Sequence, residues 1–235
     1  MIIKGMGELH LDVIKKRLED EFSLPVRTGQ PQVAYKEIVT KDVSLEESID
    51  KVVGESHIRC LCGFSVRRIQ ENDSLSNRVI FSKAVKENTQ QDALELIQSL
   101  IKQTLTCGVV GGNPLIQTEV TVERFETQDK LDDNPALSFA VVSFLKELLG
   151  KAEPKMLSPM MTLEVETPTE YGGKVISDLN MKKAKVKEIK EEGSRQIIEA
   201  EVAVEKMFNY STHLRTLTKG GAGFSLGFSH YDVIY

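Results

Sequence analysis

Met181-Lys182-Lys183-Ala184-Lys185-Val186-Lys187 places four lysines within six positions, and Lys174, Arg215 and Lys219 fall in the same carboxy-terminal region. Such a group can hold phosphates of a nucleic acid. It also suits a solvated helix end, where the dipole favours cations. Residue type alone leaves both readings open.

Other groupings invite chemistry and lack a part that it needs. A nucleotide phosphate loop ends in Gly-Lys-Ser/Thr, so that backbone amides and the lysine cradle the phosphates. Here Gly172-Gly173-Lys174 is followed by Val175, and Gly220 to Gly223 comes after a helical pattern rather than before one. Both read as turn glycines, and no nucleotide hydrolysis is expected of this chain. His57, Cys60 and Cys62 offer soft ligands, but residues two apart on a strand lack the bite of a C-x-x-C knuckle and a fourth ligand is missing. Buried thiols are the expectation, with no metal. Glu8, His10 and Asp12 do not converge if they lie on a helix, since residues two apart do not face each other. No catalytic residues are assigned.

The elements that would carry these residues follow from periodicity. Leu11, Ile14, Leu18 and Phe22 recur at helical spacing over 8–22. Leu24 to Arg27 reads as a short strand and Pro31 to Val39 as an extended segment. Strands are expected over 57–69 and 79–85, joined by the polar turn 70–77. Thr89 with Asp92 resembles a capping box that opens a helix bearing Ala93, Ile97, Leu100, Ile101 and Leu105. Ile116, Thr118, Val120 and Val122 alternate with Gln117, Glu119, Thr121 and Glu123 as a half-buried strand. Asn134 and Pro135 start a helix with Leu137, Val141, Phe144, Leu145 and Leu148 inward, ended by Gly150. Beyond Glu153-Pro154 the expected order is strand (160–166), helix (170–181), strand (184–190), strand (196–204), helix (205–218) and strand (224–231). That βαββαβ order is ferredoxin-like, an antiparallel sheet with both helices on one face. The fold class is α+β.

Composition narrows the function. The chain has 235 residues, 40% hydrophobic and 28% charged, with a formal charge of −5, so it cannot coat nucleic acid by charge alone. Any RNA contact must be local. Residues 42–153 hold 18 acidic and 12 basic side chains. No apolar run approaches the ~20 residues of a membrane helix, and no membrane partner is expected. Three cysteines make no disulfide framework.

Two long segments carry a resemblance. Gly5-Met6-Gly7-Glu8-Leu9-His10-Leu11-Asp12-Val13, followed by Gly29-Gln30-Pro31-Gln32-Val33-Ala34-Tyr35-Lys36-Glu37, is one. Glu153-Pro154-Lys155-Met156-Leu157-Ser158-Pro159-Met160-Met161, Glu164-Val165-Glu166-Thr167-Pro168 and Met207-Phe208-Asn209-Tyr210-Ser211-Thr212-His213-Leu214-Arg215-Thr216-Leu217-Thr218-Lys219-Gly220 form the other. They resemble the elongation factor G family of translational GTPases over almost the whole chain, most weakly between 42 and 90.

The resemblance implies three regions. Residues 1–31 would be the end of a ferredoxin-like third domain, so that the chain is expected to start inside a domain. Residues 32–153 would be a ribosomal-protein-like fourth domain with a left-handed βαβ crossover, and 154–235 a ferredoxin-like fifth. It implies ribosome contact through two tip loops, Lys51-Val52-Val53-Gly54-Glu55-Ser56-His57 and 127–135, the latter including Gln128, Asp129 and Lys130. It implies rRNA contact by the fifth-domain helix ends, with Lys174, Lys182, Lys183, Lys185, Arg215 and Lys219 as candidates. GTP and magnesium would bind a domain that this chain lacks. Elongating members carry Gly-Gly-x-Gly-Gln-Tyr-Gly-His at the tip, which this chain does not, its second loop is acidic, and Ala184 stands where Gly is usual. The altered tip is similar to the recycling-type second mitochondrial branch and to tetracycline-resistance protection proteins, and Gly-Met-Gly-Glu-Leu-His-Leu favours the former. The expected partners are the ribosome, both rRNA and ribosomal proteins, and ribosome recycling factor. The expected location is the mitochondrial matrix for a recycling-type paralogue and the cytoplasm otherwise. The rival expectations are a translocating factor with a degenerate tip, and an autonomous RNA-binding module.

Overall fold

Helix α1, Glu8–Phe22, forms on the expected apolar spacing, with Leu11, Ile14 and Leu18 half-buried. It belongs to a computed structural model that describes residues 3, 5, 8–29, 31–53, 56–70, 75–127 and 135–233. The expected strand over Leu24 to Arg27 does not form. Ser23 adopts φ +52° and the Leu24 amide donates to Leu18 O at 3.1 Å, so the chain turns back on its helix and finds no strand partner.

The elements that follow are β1 (Lys36–Ile38), β2 (Val43–Val53), β3 (Ser56–Arg68), β4 (Arg78–Phe81), α2 (Lys83–Asn88), α3 (Gln91–Cys107), β5 (Thr118–Thr127), α4 (Pro135–Lys151), β6 (Lys155–Pro168), α5 (Thr169–Met181), β7 (Lys185–Glu192), β8 (Arg195–Ala203), a 3-10 turn (Val204–Lys206), α6 (Tyr210–Leu217) and β9 (Gly223–Val233). Backbone contacts divide the chain into residues 35–157 and residues 158–232 together with 1–34. Among the described residues no helix is long and apolar enough to cross a membrane.

In residues 35–157 the sheet order is β2-β3-β5-β4. β2 and β3 are antiparallel, as are β3 and β5, whereas β4 runs parallel to β5. A parallel pair needs a crossover, and α2 with α3 supplies it. The expected strand over 79–85 is therefore cut short. Ser82 leaves the strand and caps α2, its Oγ accepting from the Val85 amide at 3.2 Å. Thr89 ends α2, and the N-cap of α3 is Gln90 without a side-chain cap bond, so the expected Thr89–Asp92 capping box is not made. Gly150 does not stop α4, which runs to Lys151. The core joins Phe64, Val120 and Val122 of the sheet to Ile97, Ile101, Leu137, Phe144 and Leu148 of the helices. Phe64 and Phe144 meet edge-on at 5.3 Å.

In residues 158–232 the order β7-β8-β6-β9, with α5 and α6 between strands, is the ferredoxin-like arrangement. β8 is antiparallel to both β6 and β7. Leu163, Val165, Ile198, Ala200 and Val202 face Val175, Leu179, Tyr210 and Leu214 in one cluster. The expected helix over 205–218 is two pieces, because Asn209 adopts φ +59° and separates the 3-10 turn from α6.

Candidate functional site

Much of the two expected tip loops, including residues 128–134, lies outside the described residues. Gly54, Glu55, Gln128, Asp129, Lys130 and Asn134 lie outside the described residues, and Lys51, Val52, Val53, Ser56 and His57 are described in backbone alone. The backbone still locates their bases. β2 and β3 pair as far as Val53 with Ser56, and β5 ends at Thr127 opposite Cys60. An antiparallel register thus brings the turn after β2 and the segment after β5 to one end of the sheet. Beneath this end the buried Cys60 and Cys62 Sγ atoms lie 3.9 Å apart. The hydrogen bond between them, then burial, push the Cys62 thiol far up.

Farther along residues 35–157, a carboxylate is enclosed by backbone. Glu37 is buried and accepts from the amides of Val109 (2.7 Å), Val110 (3.0 Å), Gly111 (2.8 Å) and Asn113 (3.1 Å). Successive amides converging on one anion form a nest. Burial pushes the Glu37 carboxyl up, but the four amide bonds together hold it below the ordinary glutamate range. The nest is filled by the chain itself, so it is not free to take a phosphate.

The basic candidates all lie in residues 158–232, five of them at two separate places and Lys174 between. α5 and α6 run antiparallel in this fold, so the last turn of α5 meets the first turn of α6. Lys182, Lys183 and Lys185 occupy that end, with the Lys182 ammonium 5.7 Å from the Tyr210 ring centre. Arg215 and Lys219 sit at the other end, where Arg195 Nη2 donates to Gly221 O at 3.2 Å, beside Pro168 and Thr169. A 13-residue helix separates the two ends by ~20 Å. Lys174, mid-helix, lies over the Tyr171 ring at 5.6 Å. The structure thus offers two small positive sites rather than a single patch.

Pairing distinguishes these cations from their neighbours on β7. Lys187 is tied to Glu201 at 3.1 Å, and Lys190 to Glu199 at 3.0 Å and Glu188 at 3.1 Å. Among the described residues, Lys183, Lys185, Arg215 and Lys219 are exposed and carry no carboxylate partner. Charge left uncompensated at a surface is available to a phosphate.

Sequence reading missed the residues behind the α5 end. Asp178, with a side chain 5% exposed, accepts from Nε2 of His213 at 2.8 Å and pairs with Lys182 Nζ at 3.6 Å. The i,i+4 spacing of Asp178 and Lys182 was a visible signal. The contact to His213 was not, because it depends on how two helices pack.

Residues 1–30 match the family model described as Elongation Factor G, domain III, and residues 155–234 match Elongation factor G C-terminus. Elongation factor G of Thermotoga maritima is 34% identical over 235 residues, 99% of this chain and 34% of the relative. Elongation factor G 1 of Syntrophomonas wolfei is 34% identical over 234 residues, again 99% of this chain and 34% of the relative. Over nearly all of its length the chain is similar to part of elongation factor G, and the family models matched are a domain III and a C-terminus. It spans about a third of the length of the curated relatives it matches. A crystal structure of a Thermus thermophilus protein superposes with a TM-score of 0.69 at 26% identity, covering 98% of this chain and 34% of that one. The elongation factor G match at both ends of the sequence places α1 in a domain III match and the two basic sites in a C-terminus match.

Proposed function

We propose that this chain is the ribosome-engaging part of a translation factor, holding rRNA phosphates with the helix ends of residues 158–232. The observation that carries the reading is the alignment of 99% of the chain with elongation factor G relatives, reinforced by the unpaired Lys183, Lys185, Arg215 and Lys219. On this reading the chain is organised as 1–31, 32–153 and 154–235, the latter two engaging the ribosome. GTP with its magnesium is held by the parent factor outside these residues, and this chain contributes contact rather than catalysis.

Within that role we favour ribosome disassembly together with ribosome recycling factor, in the mitochondrial matrix. The support is the tip: Val52-Val53-Gly54-Glu55-Ser56-His57 lacks the glycine-rich form of elongating members, and Asp129, Asp132 and Asp133 make the second loop acidic. Acidic loops are repelled by phosphate. A second reading, tRNA translocation in the cytoplasm, is favoured by the bacterial relatives named elongation factor G.

A reconstituted assay with the intact parent separates the two. Splitting of ribosomes with recycling factor, without support of translocation, is the expected result. Translocation without splitting would overturn the recycling role. Ribosome binding by this chain that does not weaken with salt would overturn the phosphate-contact reading itself.

A further inference from the structure

The α5 end contains three lysines, and the structure gives them different tasks. Lys182 is largely enclosed, its side chain 24% exposed. Its ammonium is committed on one side to Asp178 at 3.6 Å and on the other to the Tyr210 ring at 5.7 Å. Lys183 and Lys185 are exposed and have no carboxylate partner among the described residues.

The backbone beneath them is a closed helix end. The Lys183 amide donates to Asn180 O at 2.9 Å, and the Ala184 amide donates to Leu179 O at 2.9 Å. This pair of bonds is the Schellman ending, with its left-handed position at Lys183, φ +59°. Glycine fills that position without strain. A lysine there keeps a side chain in a conformation that disfavours one, as Ser23 and Asn209 do at their turns; what sets this turn apart is the exposed charge that it carries.

Behind the turn stands the Asp178–His213 contact. The Asp178 backbone carbonyl accepts from the Lys182 amide at 3.0 Å, while its carboxylate accepts from His213 of α6 and holds the Lys182 ammonium. A carboxylate offers acceptors alone, so the imidazole donates through Nε2. One buried carboxylate therefore ties the last turn of α5 to α6 and to the Lys182 ammonium, while its backbone carbonyl makes the ordinary helix bond.

We propose that Asp178, His213 and Lys182 are positioning residues that pre-order the turn so that Lys183 and Lys185 meet an RNA phosphate. The inference rests on the ribosome-engaging reading above and divides its lysines between support and contact. Pre-ordering removes the entropy cost of immobilising long side chains on binding. Loss of support should weaken binding without changing how many counterions are released.

That distinction sets the experiment: affinity of the chain for purified ribosomes, measured from low to high potassium chloride, with thermal melts as the control for folding. Lys183→Gln is expected to reduce the slope of log affinity against log salt by about 1. His213→Ala and Lys182→Met are expected to lower affinity by about two- to tenfold at every salt concentration, with the slope unchanged. His213→Gln keeps a donor within reach of Asp178 and should restore part of the loss. His213→Ala leaves the buried Asp178 carboxylate short of a donor and should lower the melting temperature, so affinities are compared well below the melting point of every variant. If Lys183→Gln and Lys185→Gln change neither affinity nor slope, this turn does not touch RNA and the ribosome-contact reading fails here. If Lys183→Gln flattens the slope while His213→Ala leaves affinity unchanged, the contact stands and the positioning role is overturned. A slope reduced by Lys182→Met as much as by Lys183→Gln would make Lys182 a contact and equally overturn the division.

Discussion

The amide of Val109 points at Glu37 from 2.7 Å, across 72 residues of sequence. It is the shortest of the four amide bonds that lock the turn after α3 onto the strand before β2. A charged acceptor shared by four donors is a strong local tie.

Glu37→Gln replaces an acceptor-only group by one whose NH2 faces the same amides, and should cost about 2–4 kcal/mol. The pH dependence has a definite sign. The folded carboxyl lies below its ordinary value of 4.5, so the unfolded chain binds the proton more readily. Its stabilisation is complete above pH 4.5 and is lost as pH falls through the lower folded value. Urea melts of wild type and variant should diverge most at neutral pH and converge on acidification. A difference independent of pH would refute the role of the charge.

Gly108 enters the same turn at φ +65°. A Cβ there would stand 2.0 Å from Asn113 O and 2.7 Å from Glu37 Oε1. Gly108→Ala should therefore destabilise residues 35–157 by ~3 kcal/mol or more. Its effect should combine less than additively with Glu37→Gln, since both open one turn. Chemical denaturation of the double variant reads this directly.

Lys183→Gly relieves the left-handed strain and should raise stability by about 0.5–1 kcal/mol. If Lys183 makes the proposed phosphate contact, the same change should weaken ribosome binding. A variant that melts higher and binds less well is the expected signature of a residue kept for contact.

Tyr210 buries a hydroxyl that has no partner among the described residues. Burial, and then the Asp178 charge, push this phenol above its usual range. Tyr210→Phe keeps the ring under Lys182 and against Phe224, 5.2 Å away. It should be neutral or stabilising by about 1 kcal/mol in thermal melts. A clear loss would show that the hydroxyl is bonded.

The helices were legible because their apolar residues recur on one side, as Leu137, Val141, Phe144 and Leu148 do. β2 was not, because Glu47 interrupts Val43, Leu45 and Ile49 on the inward face, opposite Cys62, and a charged residue there hides the period of two. The run Val79 to Val85 looks like one strand because Ser82, although a favoured N-cap type, is followed three residues on by Val85 rather than by the Glu or Gln of a capping box. Glu119 reads as solvent-facing but is buried beneath Arg67 at 2.6 Å, a pairing set by register between β3 and β5. The six basic candidates could be chosen from the sequence. Their separation could not, since the distance between Lys183 and Lys219 is decided by antiparallel helix packing.

The position of β5 has a consequence for synthesis. It pairs with β3 on one side and β4 on the other, yet it is made after both. At roughly 5–20 residues per second, the chain from Arg68 to Thr118 takes about 3–10 s to appear. For that interval the inner edges of β3 and β4 have no strand between them. The nascent protein is then most exposed to chaperones and to mispairing with its neighbours, and the arrival of Val120 and Val122 closes the gap.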